Sequence, residues 1–159
     1  MKALSLIGLF AIVLTACPSK EGGQKDANAP PPGPSGGSGP LANLESSPFL
    51  NETWNAQGQM VQILFYSREN VRVNAQCRSA TGQLGCAAIQ QIRNGMPVEI
   101  PKRELDGRMS AGVKACIKMH NQIVEVTNAM GSQDTFCRFP DGSLLSAGTL
   151  EQYGMRVLQ

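Results

Sequence analysis

Alternating apolar and polar positions mark the middle of this chain. Residues 59–67 (QMVQILFYS) are rich in strand formers, with Met60, Gln62, Leu64 and Tyr66 opposite Val61, Ile63 and Phe65. Arg68-Glu69-Asn70 makes a tight connection, and residues 71–78 alternate again through Val71, Val73 and Ala75, so a β-hairpin is expected. Residues 79–85 (SATGQLG) read as a loop. Residues 86–93 support two readings. Cys86, Ile89 and Ile92 recur at three-residue spacing, as in a helix ending at Asn94-Gly95. Asn94-Gly95 is also a strong two-residue hairpin turn, with a strand over 96–100 behind it. The hairpin is the preferred of the two. Residues 102–108 are charged and loop-like, a natural boundary.

Beyond that boundary Ser110 can cap a helix over residues 111–120, with Val113, Cys116, Ile117 and His120 on one face and Asn121 closing it. Residues 122–127 read as a strand, 128–132 as a turn and 134–139 as the partner strand. Pro140-Asp141-Gly142-Ser143 is a tight turn, since Pro fixes one dihedral and Gly accepts positive φ. Residues 149–157 suit a short closing helix. The expected class is α+β: a small disulfide-stapled β-hairpin lobe over 45–108, then a helix–hairpin lobe with two Cys over 109–159. The pattern leaves open whether the lobes share one core.

The start of the chain is different in kind. Lys2 supplies one positive charge, and residues 3–14 are apolar apart from Ser5 and Gly8. That is a secretory leader over 1–16, too short for a spanning helix of about 20 residues. It ends Leu14-Thr15-Ala16-Cys17, which resembles the lipobox of bacterial lipoproteins. The resemblance implies cleavage before Cys17 and acyl chains on it, hence a membrane anchor. Several chains anchor durably, at about 0.8 kcal/mol per buried CH₂. Pro18 stands where the Asp linked to inner-membrane retention would be, so the resemblance points to the outer membrane. Residues 18–40 hold six Pro and six Gly, with Ala as the only apolar side chain. Too little there can be buried to offset ordering entropy, so residues 17–44 read as a lipidated Cys and a disordered tether.

With Cys17 spent on lipid, four Cys remain: Cys77, Cys86, Cys116 and Cys137. Export places them in an oxidising compartment, where an even number reads as two disulfides. Three connectivities are possible; Cys77–Cys86 with Cys116–Cys137 is favoured because each pair closes a short local loop. A metal or redox site is the lesser alternative, because no CxxC occurs and no His lies near Cys77 and Cys86.

Composition narrows the rest. The 159 residues carry 14 Lys+Arg against 12 Asp+Glu, a net +2, which gives no footprint for nucleic acid. A single His excludes a His-based metal cluster, and any nucleophile–His pair would need His120. That residue sits where a helix should end, which suits bonding to the last carbonyls better than catalysis. Turn chemistry accounts for Asp141. Phe49 and Trp54 read as core or lid residues of the first lobe, or as binding anchors if exposed. Asn51-Glu52-Thr53 is formally a glycosylation sequon with no default meaning in a bacterial lipoprotein. Seven Met could make an adaptable surface, although core filling is the more ordinary use. No cofactor or metal site is expected.

One further resemblance lies in the second lobe. Residues 111–116 (AGVKAC), 122–126 (QIVEV) and 137–143 (CRFPDGS) resemble the small two-Cys domain of uncharacterised bacterial lipoproteins that carry a haemolysin label. That family's paired glycines after the first Cys are His120-Asn121 here, and its acidic-Trp segment after the turn is residues 144–147 (LLSA). The resemblance implies a fold more than a chemistry. Two functions follow as expectations. The first is a non-enzymatic interaction module, lipid-anchored in the cell envelope and directed at another envelope protein. The second is an inhibitor of a periplasmic or extracellular hydrolase, presenting residues 81–85 or 128–132 as a rigid plug.

Overall fold

The computed structural model describes residues 41–159; Cys17 and nearly all of the tether fall outside them. Within this span the chain is α+β, with eight strands, three short α-helices and two disulfides.

The first strand, β1 (Leu50–Ala56), turns at Gln57-Gly58 into β2 (Gln59–Tyr66). Both turn residues take positive φ, 55° and 90°, and the Asn55 side chain accepts the Gly58 N–H at 2.7 Å. That is a two-residue hairpin of the kind whose twist matches its strands. β2 then pairs with β3 (Val71–Asn74), the expected hairpin, with Phe65 opposite Arg72. After a connection described below, β5 (Gln122–Asn128), β6 (Gln133–Arg138) and β7 (Leu144–Ser146) form a second antiparallel meander.

The two meanders close on each other. Trp54, Asn55 and Ala56 of β1 pair with Asn128, Thr127 and Val126 of β5, and Val73 of β3 pairs with Leu145 of β7. The result is a closed six-stranded barrel in the order β1-β2-β3-β7-β6-β5. The expected lobes are therefore not independent: each supplies half of one wall. Neither three-stranded half could stand alone, because each would leave two bare edges and an uncovered apolar face. Hairpin signals are local, so they cannot show which edges meet across the chain between β3 and β5, residues 75–121.

The barrel interior holds Trp54, Ala56, Ile63, Val124, Val126, Phe136 and Leu144. A larger cluster lies outside the wall, where Leu64, Tyr66, Val71, Val73 and Leu145 pack against the helices. The strands are thus apolar on both faces where helices cover them. Residues 86–93 are helical, not a hairpin arm: α1 spans Ala87–Arg93, and Asn94-Gly95 ends it, the Gly95 N–H donating to the Gln90 carbonyl at 2.9 Å. β4 (Val98–Pro101) follows. α2 is Ala111–Lys118, started by Ser110, whose Oγ accepts the Val113 N–H at 3.3 Å. Its buried face is Gly112, Ala115 and Cys116, while Ile117 and His120 are exposed, so the expected face is rotated by about one residue. The difference arises because α3 (Ala147–Tyr153) packs directly on Gly112. Ser146 caps α3, and the chain then leaves the helix at Gly154 to form β8 (Met155–Leu158), parallel to β4, where a continued helix was expected.

The fold also begins earlier than expected. Leu41 and Leu44 are buried, and Arg93 clamps the segment by bonding both carboxylate oxygens of Glu45, at 2.6 and 2.7 Å, and the Leu41 carbonyl. The Arg93 guanidinium holds the Glu45 carboxyl below its usual range. Arg78 adds bonds to the Glu45 carbonyl and the Tyr66 hydroxyl.

Candidate functional site

Pleating puts Glu52 on the same face of β1 as Trp54 and Ala56, and Asp134 on the same face of β6 as Phe136. Both carboxylates are therefore inside one end of the barrel. Arg72 of β3 meets Glu52 there, its Nε donating to Oε2 at 3.2 Å, while the Trp54 indole N–H reaches the same oxygen at 3.0 Å. The guanidinium carbon lies 3.7 Å from the centre of the Phe65 ring. Its backbone N–H is taken by Thr149 of α3 at 3.0 Å. Burial pushes the Asp134 carboxyl above its usual range, partly offset by the Thr135 N–H and by Arg72, with Glu52 pushing the same way as burial. Among the described residues the two Nη groups of Arg72 make no hydrogen bond, so this barrel end presents donors beside two carboxylates.

This cluster was not foreseen. Its signal is a charge in phase with an apolar face: Glu52 with Trp54, and Asp134 with Phe136. Residues 51–53 invited a sequon reading instead, and their polarity hid β1 altogether. Trp54 is buried in the barrel, and Phe49 is half-buried against Tyr66, with ring centres 5.4 Å apart. Both are packing residues here.

Asp141 has a structural task. One carboxylate oxygen accepts the Ala87 N–H at 2.7 Å, and the other accepts from the Ser143 N–H at 2.9 Å and the Ser143 hydroxyl at 2.5 Å. Ser143 Oγ in turn accepts the Ala88 N–H at 3.1 Å. The turn at 140–143 thus caps α1, more than 50 residues earlier in the chain. Burial opposes ionisation of Asp141, but these donors outweigh it and hold the carboxyl below its usual range. His120 takes φ 60° just past α2, and its backbone N–H bonds the Ile117 carbonyl at 2.9 Å while Asn121 N–H bonds that of Cys116 at 3.1 Å. This is a left-handed helix terminus in which the His backbone, not its ring, does the bonding.

Cys77 pairs with Cys86 and Cys116 with Cys137, with Cα atoms 5.1 and 5.6 Å apart. The first bond ties the 3-10 turn that follows β3 to the start of α1, and the second ties α2 to the barrel wall at β6. Among the described residues no group of three or more His, Cys, Asp or Glu is placed to hold a metal ion, and no helix is long and apolar enough to cross a membrane.

The methionines are where the surface is unusual. Of the six described, none belongs to the buried core, and Met60, Met96, Met109 and Met130 are 64%, 89%, 47% and 86% exposed. Met119 and Met155 are half-buried and pack against the outer cluster, so core filling holds for those two and fails for the four exposed ones. Met130 tops a turn fixed by its own backbone: Asn128 Oδ1 accepts the N–H groups of Met130 and Ser132 at 3.0 and 2.9 Å.

No family model, curated protein or solved structure matches this chain.

Proposed function

We propose that this is a lipid-anchored protein of the bacterial envelope, held at the outer membrane by acyl chains on Cys17, whose stapled barrel is a non-enzymatic module for binding another envelope protein. The observation that carries this reading is the placement of flexible, polarisable methionines on the surface of a rigid, disulfide-tied unit. Exposed Met adapts to partner surfaces at little strain, and a tethered unit needs only weak contacts because its local concentration is high. The test is a photo-crosslinking side chain placed in turn at Met96, Met130 and, as a control, Gln62, in the acylated protein in cells. A discrete adduct from a methionine position and none from Gln62 is the expected result. Adducts of equal yield at all three positions, or none, would remove the support.

One observation favours the inhibitor reading as the alternative. The turn at 128–132 is pre-organised by Asn128 with Met130 at its apex, the form a plug needs to dock without losing much entropy. Stoichiometric loss of a periplasmic protease or lysozyme activity on adding the protein, abolished by Met130→Asp, is what that reading requires.

A further inference from the structure

We infer that the outer face of α2, with the segment that precedes it, is a docking surface for an anionic phospholipid bilayer. The charge of the described chain is divided unevenly. Residues 102–118 hold five Lys or Arg (102, 103, 108, 114 and 118) against Glu104 and Asp106, a net of +3. All other described residues together hold six Lys or Arg against eight Asp or Glu, a net of −2. Apolar side chains stand out in the same segment: Met109, just before α2, is 47% exposed and Ile117, within it, 48%. They line one shallow hollow together with Arg103, Lys114 and Lys118 and with the two acids of the segment, Glu104 and Asp106.

The charged heads around it differ in how they are held. Lys114 bonds Asp106 at 2.6 Å and also the Glu104 carbonyl, which fixes the loop over the start of α2. Lys118 bonds the Glu99 carbonyl at 2.7 Å, an interaction that leaves its charge uncancelled. Among the described residues the side chains of Lys102, Arg103 and Arg108 make no hydrogen bond or ion pair, and all three are exposed. Glu104 is the one carboxylate of the segment that lies outside an ion pair. Cations around an exposed apolar floor match a headgroup layer, where phosphates meet the charges and the first acyl carbons meet Met109 and Ile117. This deepens the proposed function and rests on it for biological placement: an anchor at Cys17 would keep the face at a bilayer. The binding itself does not depend on the anchor.

The test therefore uses the chain without leader or Cys17. The described residues 41–159 hold the closed barrel, its helical layer and both disulfides, and the chain from residue 35 onward is sedimented with vesicles of phosphatidylcholine alone or mixed equally with phosphatidylglycerol. Binding to the anionic vesicles only, lost at high salt, is expected. Arg103→Glu should lower the partition by more than about fivefold, the effect of losing one basic charge at such a surface, and Ile117→Ser should lower it with the salt dependence unchanged. Arg68→Glu alters net charge equally but lies on the β2–β3 turn, and should leave binding within about twofold of the parent. Absence of binding, equal binding to both vesicles, or an Arg68→Glu loss as large as that of Arg103→Glu would each overturn the proposal. Intact mass of the envelope-purified chain reads acylation at Cys17 separately, so failure of the anchor and failure of the face are distinct results.

Discussion

The inside of the barrel and the helical layer around it are stabilised by opposite means. Inside, seven apolar side chains pack between strands whose ladders close on themselves, and no cysteine is among them. Outside, the helices have seven, eight and seven residues, lengths at which an isolated helix is not stable in water. Each is held by groups outside its own residues. α1 has Asp141, Ser143 and the bond to Cys77; α2 has the bond to Cys137; α3 has the Gly112 contact. The hairpins of the barrel are specified by local alternation, whereas its helical layer has to be tied on.

The sharpest way to break that layer is at Gly112. A Cβ there would stand 1.8 Å from the Ala147 carbonyl oxygen, and that neighbour is backbone. Gly112→Ala should therefore destabilise by about 3 kcal/mol or more. Gly148→Ala, one residue into α3 from the same contact, meets nothing within 4 Å and should be neutral or gain up to about 1 kcal/mol from helix propensity. Urea unfolding of the two variants reads the contrast, and equal effects would mean the α2–α3 contact is not close.

Removing the disulfides comes next in size. The chain-entropy relation gives about 3.4 kcal/mol for the Cys116–Cys137 loop and about 2.7 for the shorter Cys77–Cys86 loop. Paired Cys→Ala variants should follow that order in denaturation midpoint. A reversal would mean that the first bond acts chiefly on the native state, through α1.

The third effect is smaller and depends on pH. Asp141→Ala removes the cap of α1 and should cost about 1–2 kcal/mol at pH 7. The folded carboxyl titrates below its unfolded value, so its contribution is complete above the unfolded pKa and is lost as pH falls through the folded one. The parent and Asp141→Ala should accordingly converge in thermal midpoint in acid. A constant gap across pH would contradict the capping role.

What could be read in advance divides along the same line. The β2–β3 and β5–β6 hairpins, the cap at Ser110 and the turn at 140–143 are local, and each is visible in a few consecutive residues. Barrel closure was not, because pairing of Trp54 with Asn128 or of Val73 with Leu145 leaves no mark within either segment. α1 was misjudged for a related reason. Asn94-Gly95 suits a hairpin by itself, and the acceptors that favour a helix start at Ala87 come from Asp141 and Ser143. β8 likewise needs β4 to exist. The charged barrel end escaped notice because Glu52 and Asp134 look like ordinary surface acids until their strands are placed in phase.

Asp134 gives the smallest effect and the finest test, because it should respond to pH in the opposite sense to Asp141. Its carboxyl is inside the barrel end and is pushed up by burial, with only the Thr135 N–H at 2.7 Å and the charge of Arg72 in its favour. A folded pKa above the unfolded one means that the native state holds the proton more tightly, so ionisation works against folding. Above the folded pKa the penalty is full; as pH falls through that value and then through the unfolded one, it disappears. Asp134→Asn keeps the shape and removes the charge, and should raise stability at neutral pH by up to about 1 kcal/mol. The gain should vanish in acid, where the parent carboxyl is already neutral. If Asp134→Asn lowers stability at neutral pH, attraction to Arg72 outweighs burial. The barrel end would then be a structural ion cluster, as firmly tied as the helical layer outside it.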